Sequence, residues 1–305
     1  MGKPFIWGPI GHHPKVPKEY IAVYGSKAWF LEQVKWGVKK CFWNLDPFLK
    51  ITKWKAAKII ALNSSVQKVL KVAAEKIIVI PAAGTERPTL STATENKFTV
   101  LSIGRLVSLK GFDISIEAFA QFYKQLPAAA QAKTQLVLIG KGPQKKFLVE
   151  IIKKHNLPTH TILLKDWMDR SALAQYYASA KVFLFPSHEG AGMVVPEALS
   201  YGIPVLCFKN VGPGELIDEH CGIAIPYGTR ADSIKEFATA LNRLYKEPDY
   251  QKELSKNASK RFDNRFTWEG KGLAIQEVYA QVLDNSVGIC IRPPVTVGVL
   301  GSGKS

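Results

Sequence analysis

The chain has 305 residues, enough for two domains at roughly 150 residues each. Hydrophobic residues make up 47% and charged residues 22%, which excludes a wholly disordered chain. Lys and Arg number 41 against 25 Asp and Glu, and the resulting +16 favours anionic partners: a phosphorylated ligand, nucleic acid or an acidic membrane surface. Four cysteines (Cys41, Cys207, Cys221, Cys290) lie scattered without a CxxC pair, so neither a disulfide framework nor a zinc site is expected and a reducing compartment is. No apolar run approaches the roughly 18 to 20 residues of a membrane span, and no signal peptide opens the sequence.

Residues 1–95 hold 15 Lys and Arg against 6 Asp and Glu, and five of the seven tryptophans fall in the first 54 residues. Within residues 27–43, Trp29, Trp36 and Trp43 recur every seven positions, one stripe of a helix, broadened by Phe30, Val34 and Phe42. With Lys27, Lys35, Lys39 and Lys40 alongside, the stripe can rest on an anionic membrane; the alternative is packing against the rest of the acceptor domain, which this chain is expected to lack. A strand is predicted over residues 58–61, a helix over 64–74 and a strand over 77–80. These are too few for an independent sheet domain, so the front reads as the back half of a domain whose first half is missing. Turn residues between 81 and 94 place a boundary near residues 81–96.

Beyond it, apolar strands alternate with amphipathic helices. Strands are predicted over residues 98–103, 135–139, 161–164, 182–185, 205–208 and 223–225. Helices are predicted over 111–125, 144–155, 170–179, 194–200, 231–245 and 268–283. That alternation means a parallel sheet with helices on both faces, whose ligands bind beyond the strand C-termini.

Three strand ends carry candidate chemistry. Gly104 turns the chain into a loop bearing Arg105 and Lys110, a fork and a point charge that can hold a diphosphate or simply face solvent. Gly140 and Gly142, before Pro143, allow close backbone approach or a tight turn; no third glycine completes GxGxxG. Residues 186–198 place Glu189 in a loop, Gly190 and Gly192 before a helix, and Glu197 inside it. The bared amides there suit oxygens or anions, and a carboxylate on so apolar a helix needs a partner.

In this order, GRLVSLKG (104–111), GKGP (140–143), FPSHEGAGMVVPEALSYGIPV (185–205) and GPGELI (212–217) resemble the donor domain of retaining glycosyltransferases of family 4, in the GT-B architecture. Residues 98–283 carry the likeness. Residues 1–95 are similar to only the second half of that family's acceptor domain, through PFIWGPIG (4–11), AAKIIALNSS (56–65) and KIIVIP (76–81). The resemblance implies a Rossmann-like doubly wound parallel sheet preceded by a partial second Rossmann-like domain. It implies a partial acceptor-side unit over 1–90, donor binding over 91–266, a cross-over helix over 267–285 and a tail over 286–305. By the same resemblance Arg105 and Lys110 clamp the donor diphosphate and Glu189 holds the transferred sugar. The amides of Met193 and Val194 touch that sugar, and Glu197 binds the ribose. Ala191 stands where the family usually has an aromatic residue. Without an Asp-x-Asp pair, neither metal nor cofactor is expected. The nucleoside-diphosphate sugar is the substrate, and the acceptor is lipid-linked or an envelope-polysaccharide precursor. His12 and His13, in Gly-His-His-Pro, are acceptor-side candidates or solvated loop histidines.

The expected location is cytoplasmic, peripheral on the inner face of the membrane. Two rivals stay open: a non-catalytic nucleotide-sugar-binding or membrane-docked module, and a nucleic-acid-binding protein prompted by the basic front, against which no nucleic-acid motif occurs. Residues 298–305 match GxxxxGKS, but the helix a P-loop needs does not follow. The match reads as chance in a tail or as the start of another domain.

Overall fold

The computed structural model describes residues 3–81, 84–88 and 97–287. Part of the expected boundary, the GxxxxGKS match and Cys290 lie outside them. The front runs β1 (Phe5–Ile10), α1 (Lys18–Ile21), α2 (Ser26–Leu45), α3 (Pro47–Lys55), β2 (Ala56–Ala61), α4 (Ser65–Leu70) and β3 (Ile77–Val79). Its strands form a parallel sheet in the order β1-β2-β3. The expected helix over 64–74 stops early because Lys71 turns left-handed at φ 53°. Helix α3 was not predicted. Asp46 caps it, accepting from the amides of Phe48 (2.8 Å) and Leu49 (3.2 Å), and Pro47 opens it.

The remainder runs β4 (Phe98–Ile103), α5 (Phe112–Lys124), α6 (Ala128–Gln131), β5 (Thr134–Ile139), α7 (Lys145–Lys154), β6 (Ile162–Lys165), α8 (Arg170–Ser179) and β7 (Ala180–Phe185). It continues through α9 (Val194–Ser200), β8 (Val205–Phe208), α10 (Pro213–Leu216), β9 (Gly222–Ile225), α11 (Arg230–Lys246), α12 (Pro248–Arg265) and α13 (Trp268–Val287). Six parallel strands lie in the order β6-β5-β4-β7-β8-β9. Both sheet faces are covered. Val100, Leu136, Val182 and Leu206 join one core with α5 and α11, while their neighbours Leu101, Val137, Phe183 and Val205 join the other with α9 and α12. This period of two explains why the strands read as continuous apolar runs. The parallel α/β architecture agrees with the sequence reading.

Helix α12 was missed because only Leu254, Ala258 and Phe262 are buried along its 18 residues. Helix α13 follows it and packs against β2, and Lys271 Nζ donates to the Pro81 carbonyl at 2.5 Å.

The front and back share packing. Tyr20 and Ile21 are buried in the core of α5 and α11. Tyr20 Oη donates to the Gly228 carbonyl at 2.9 Å, and Tyr24 Oη donates to Asp113 Oδ1 at 2.6 Å. Arg230 meets Asp113 at 2.9 Å and Glu117 at 3.0 Å, and its amide donates to Glu19 at 2.9 Å. Tyr24, desolvated beside the Asp113 carboxylate, has its phenol pKa raised.

Candidate active site

The winding of the larger sheet reverses at β4, with β5 and β6 on one side and β7, β8 and β9 on the other. The loops leaving β4 and β7 therefore diverge and open a crevice at the carboxyl ends of the strands. Residues 104–111 and 186–193 form these loops.

Gly111 lets the two loops cross. Its φ is 67°, and a Cβ there would stand 2.1 Å from the Pro186 carbonyl oxygen. The His188 amide donates to the Leu109 carbonyl at 2.8 Å, and Ser187 Oγ donates to the same oxygen at 3.1 Å. Held this way, Lys110 Nζ meets Glu189 Oε2 at 2.6 Å and lies 5.0 Å from the Phe185 ring centre. Both charged side chains are largely buried. Glu189 Oε1 is buried with no hydrogen-bond partner among the described residues. A buried carboxylate oxygen facing no donor is a strong acceptor, which is the chemistry a ligand hydroxyl satisfies.

The front of the chain supplies the opposite wall. His13 Nδ1 accepts the Gly190 N–H at 3.0 Å. Asn63 Nδ2 donates to the carbonyls of Gly190 (2.5 Å) and His12 (2.8 Å), and Ser64 bonds Glu215 through its amide and hydroxyl. His12 Nδ1 bonds Ser65 Oγ at 2.7 Å, while its Nε2 has no hydrogen-bond partner among the described residues. Burial, helped by Lys39, lowers the His12 pKa to about 4. Burial also lowers that of His13, against the pull of Glu189. Both rings are neutral near pH 7.

Gly140 and Gly142 approach a neighbouring loop closely: their Cβ atoms would stand 1.9 Å from the Gly104 carbonyl and 2.4 Å from that of Leu106. Gly192 takes φ 72°, and Met193 is exposed just ahead of Val194, which opens α9. Glu197, half-buried one turn into α9, accepts from Tyr177 Oη at 2.9 Å, and Tyr177 stacks on Tyr201.

The structure thus joins Lys110, Glu189, Gly190, His12 and His13 directly, with Gly104, Gly140 and Gly142 packed among the same loops. Arg105 is exposed, and its side chain has no ion pair or hydrogen bond among the described residues. Glu197 is bonded to Tyr177 rather than to the Lys110–Glu189 pair. Among the described residues no group of three or more His, Cys, Asp or Glu could hold a metal ion.

Sequence reasoning missed Asn63, which bridges the two walls. It also missed Asn210, whose Nδ2 donates to the Ser187 carbonyl at 2.8 Å and whose Oδ1 accepts from Gly212 and Gly214. Both follow strands as polar residues in turn-like runs, the only signal they give. His188 was passed over too. It is 3% exposed, packs face to face with Phe208 and Tyr227, and shares a 2.9 Å hydrogen bond between Nδ1 and Tyr227 Oη.

Burial lowers the His188 pKa to about 3. The unfolded chain, with an ordinary histidine near 6.5, then binds the proton more readily than the folded one. The contribution of a neutral His188 to stability is therefore full above pH 6.5 and is lost as pH falls towards 3, at up to about 1.4 kcal/mol per pH unit. Urea unfolding between pH 7 and 4 should show this slope added to that of His12, whose pKa is lowered too, and His188→Gln should make it shallower. An unchanged slope in the variant would assign the acid sensitivity elsewhere.

Comparison with known proteins adds independent findings. The family described as "Glycosyl transferases group 1" matches residues 88–261, more than half of the chain. An uncharacterized glycosyltransferase of Haemophilus influenzae is 29% identical over 163 residues, covering 53% of this chain and 43% of that protein. The amylovoran biosynthesis glycosyltransferase AmsD of Erwinia amylovora is 29% identical over 161 residues, covering 52% and 42%. The chain thus spans less than half the length of these two curated relatives. Among solved structures, Anabaena HepE in complex with UDP superposes with a TM-score of 0.65 at 22% identity, covering 76% of this chain and 66% of that one. Its likeness extends the GT-B fold to the present sheets. With the switch-point crevice and the motif order in agreement, the chain belongs to the glycosyl transferases group 1 family.

Proposed function

We propose that the crevice takes a nucleoside-diphosphate sugar and passes its sugar to an acceptor hydroxyl, with retained configuration and without metal. The carrying observation is the Lys110–Glu189 pair at the switch point, with Glu189 Oε1 left without a donor among the described residues. Lys110 and Arg105 neutralise the departing diphosphate, and Glu189 orients the sugar hydroxyls. The Met193 and Val194 amides approach the sugar, and Glu197 accepts from the ribose. The bond from the anomeric carbon to the β-phosphate oxygen breaks as the acceptor oxygen bonds that carbon from the same face. The acceptor proton passes to the departing phosphate oxygen. Positive charge fixed where negative charge develops is the protein's main contribution.

The His12–His13 wall supplies the acceptor side, with a lipid-linked or envelope-glycan precursor as the acceptor class. HepE binding UDP supports a uridine nucleotide as the first donor to try. Cys207 and Cys221, buried free thiols, suit a reducing, cytoplasmic compartment. A second reading, donor binding without transfer, draws on the partial span of the relatives.

Thermal denaturation with UDP-, GDP- and ADP-sugars tests the reading. One donor at a hundred times its Kd should add about 2.7 kcal/mol of stability. Release of the nucleoside diphosphate on adding an acceptor then separates transfer from binding alone. No shift with any of the three counts against both.

A further inference from the structure

The tryptophan stripe of α2 does not face outward. Trp36 and Trp43 pack edge-on against His12, with ring centres 5.8 and 5.2 Å away, and Trp29 packs against the core of α5 and α11. The opposite side of the helix is exposed instead, and it is apolar: Phe30, Leu31, Val34, Val38, Phe42 and Leu45 follow one another at helical spacing. Helix α3, next along the chain, also exposes large apolar side chains: Phe48 and Trp54, each 77% exposed, and Ile51. Large apolar side chains gathered over two consecutive helices are more than scattered surface residues.

The surrounding charge decides what covers them. Lys27, Lys40, Lys50 and Lys55 are exposed, and their ammonium groups have no partner among the described residues. Residues 26–55 contain two acids, Glu32 and Asp46, and both are engaged. Glu32 accepts from Trp36 Nε1 at 3.0 Å and pairs with Lys35, while Asp46 caps α3. An apolar band framed by unpaired lysines meets hydrocarbon and phosphate together in one place, the headgroup boundary of an anionic bilayer. No helix among the described residues is long and apolar enough to cross a membrane.

We propose that the outer face of α2 and α3 seats this chain on an anionic lipid surface. Phe42, Phe48 and Trp54 enter the acyl boundary, and Lys27, Lys40, Lys50 and Lys55 lie against the phosphates. The inner face of α2 touches His12, so the lipid surface would lie one helix away from the candidate crevice. Docking is independent of sugar transfer, and its test leaves the donor site untouched.

The experiment is co-sedimentation of the full chain with vesicles of phosphatidylglycerol in phosphatidylcholine, against phosphatidylcholine alone. Quenching of tryptophan fluorescence by brominated lipid is followed in parallel. Binding should favour anionic vesicles by roughly tenfold or more and weaken with salt. The double variant Phe42→Glu/Phe48→Glu should lose it, and Trp54→Phe should lose most of the quenching. Replacing Lys27, Lys40, Lys50 and Lys55 with Gln should abolish the preference for anionic lipid, a readout that does not depend on the apolar substitutions folding. Equal binding to both vesicle types, retention by the Phe42/Phe48 variant, or a dimer in light scattering that this variant splits would overturn the proposal. The last outcome would assign the face to a second copy.

Discussion

Lys110→Ala is expected to lower sugar transfer by about a hundredfold to a thousandfold, the usual effect of removing one preorganised donor from a developing anion. The same substitution leaves the Glu189 carboxylate buried and unpaired, because Lys110 is the ion-pair partner of Oε2 at 2.6 Å and Oε1 has no hydrogen-bond partner among the described residues. Removing one partner of a buried pair costs about 3–5 kcal/mol, so lost activity alone would be ambiguous. The double variant Lys110→Met/Glu189→Gln separates the causes. It takes away both charges, and stability should return to near that of the parent while transfer stays low. Urea unfolding alongside a donor-turnover assay measures both. Turnover close to that of the parent in Lys110→Ala would remove Lys110 from the chemistry.

Gly190→Ala carries the second large effect. A Cβ at this position would stand 1.7 Å from the His12 carbonyl oxygen and 2.8 Å from Asn63 Nδ2. The closest neighbour is backbone, so the two walls must part rather than one side chain swing aside. Parting them breaks the Gly190 bonds to His13 and Asn63, and it displaces Glu189 by way of the adjoining peptide. A destabilisation of about 1–3 kcal/mol is expected from the overpacking, with transfer reduced at least tenfold. Gly37→Ala is the matched control. Gly37 lies within α2 with nothing among the described residues within 4 Å of its added Cβ, and alanine there should be neutral or stabilising by up to about 1 kcal/mol. Equal behaviour of the two variants would show that the contact between His12 and Gly190 is not needed.

What was legible follows from local physics. Strands β4, β5, β7 and β8 are buried on both faces, and their apolar runs announce a parallel sheet whatever their partners. Helices α8 and α9 were predicted with the boundaries observed: Asp169 caps the first, and Gly190 and Gly192 shortly precede the second. Helix α12 was invisible since three buried residues in 18 leave almost no apolar stripe. The site divides in the same way. Lys110, Glu189 and Glu197 belong to motifs read along the chain, whereas the His13–Gly190 and Asn63–Gly190 contacts join positions 177 and 127 residues apart. Nothing local records such pairings. The heptad spacing of Trp29, Trp36 and Trp43 showed a helix with a preferred face but not whether that face looked in or out. Only packing against His12 decides that.

The family and the parallel architecture stand on the motifs and on the observed sheet, while the chemistry stands on the crevice. The most direct measurement is therefore calorimetric titration of UDP, GDP and ADP into the full chain and into Glu197→Ala. One nucleotide should bind the parent, and the variant should bind it at least tenfold more weakly while still unfolding cooperatively, its unfolding temperature lowered only by the loss of the Tyr177 hydrogen bond. Failure of all three to bind, or equal affinity in the variant, would mean that the carboxyl edge at β4 and β7 is not where a glycosyl nucleotide docks.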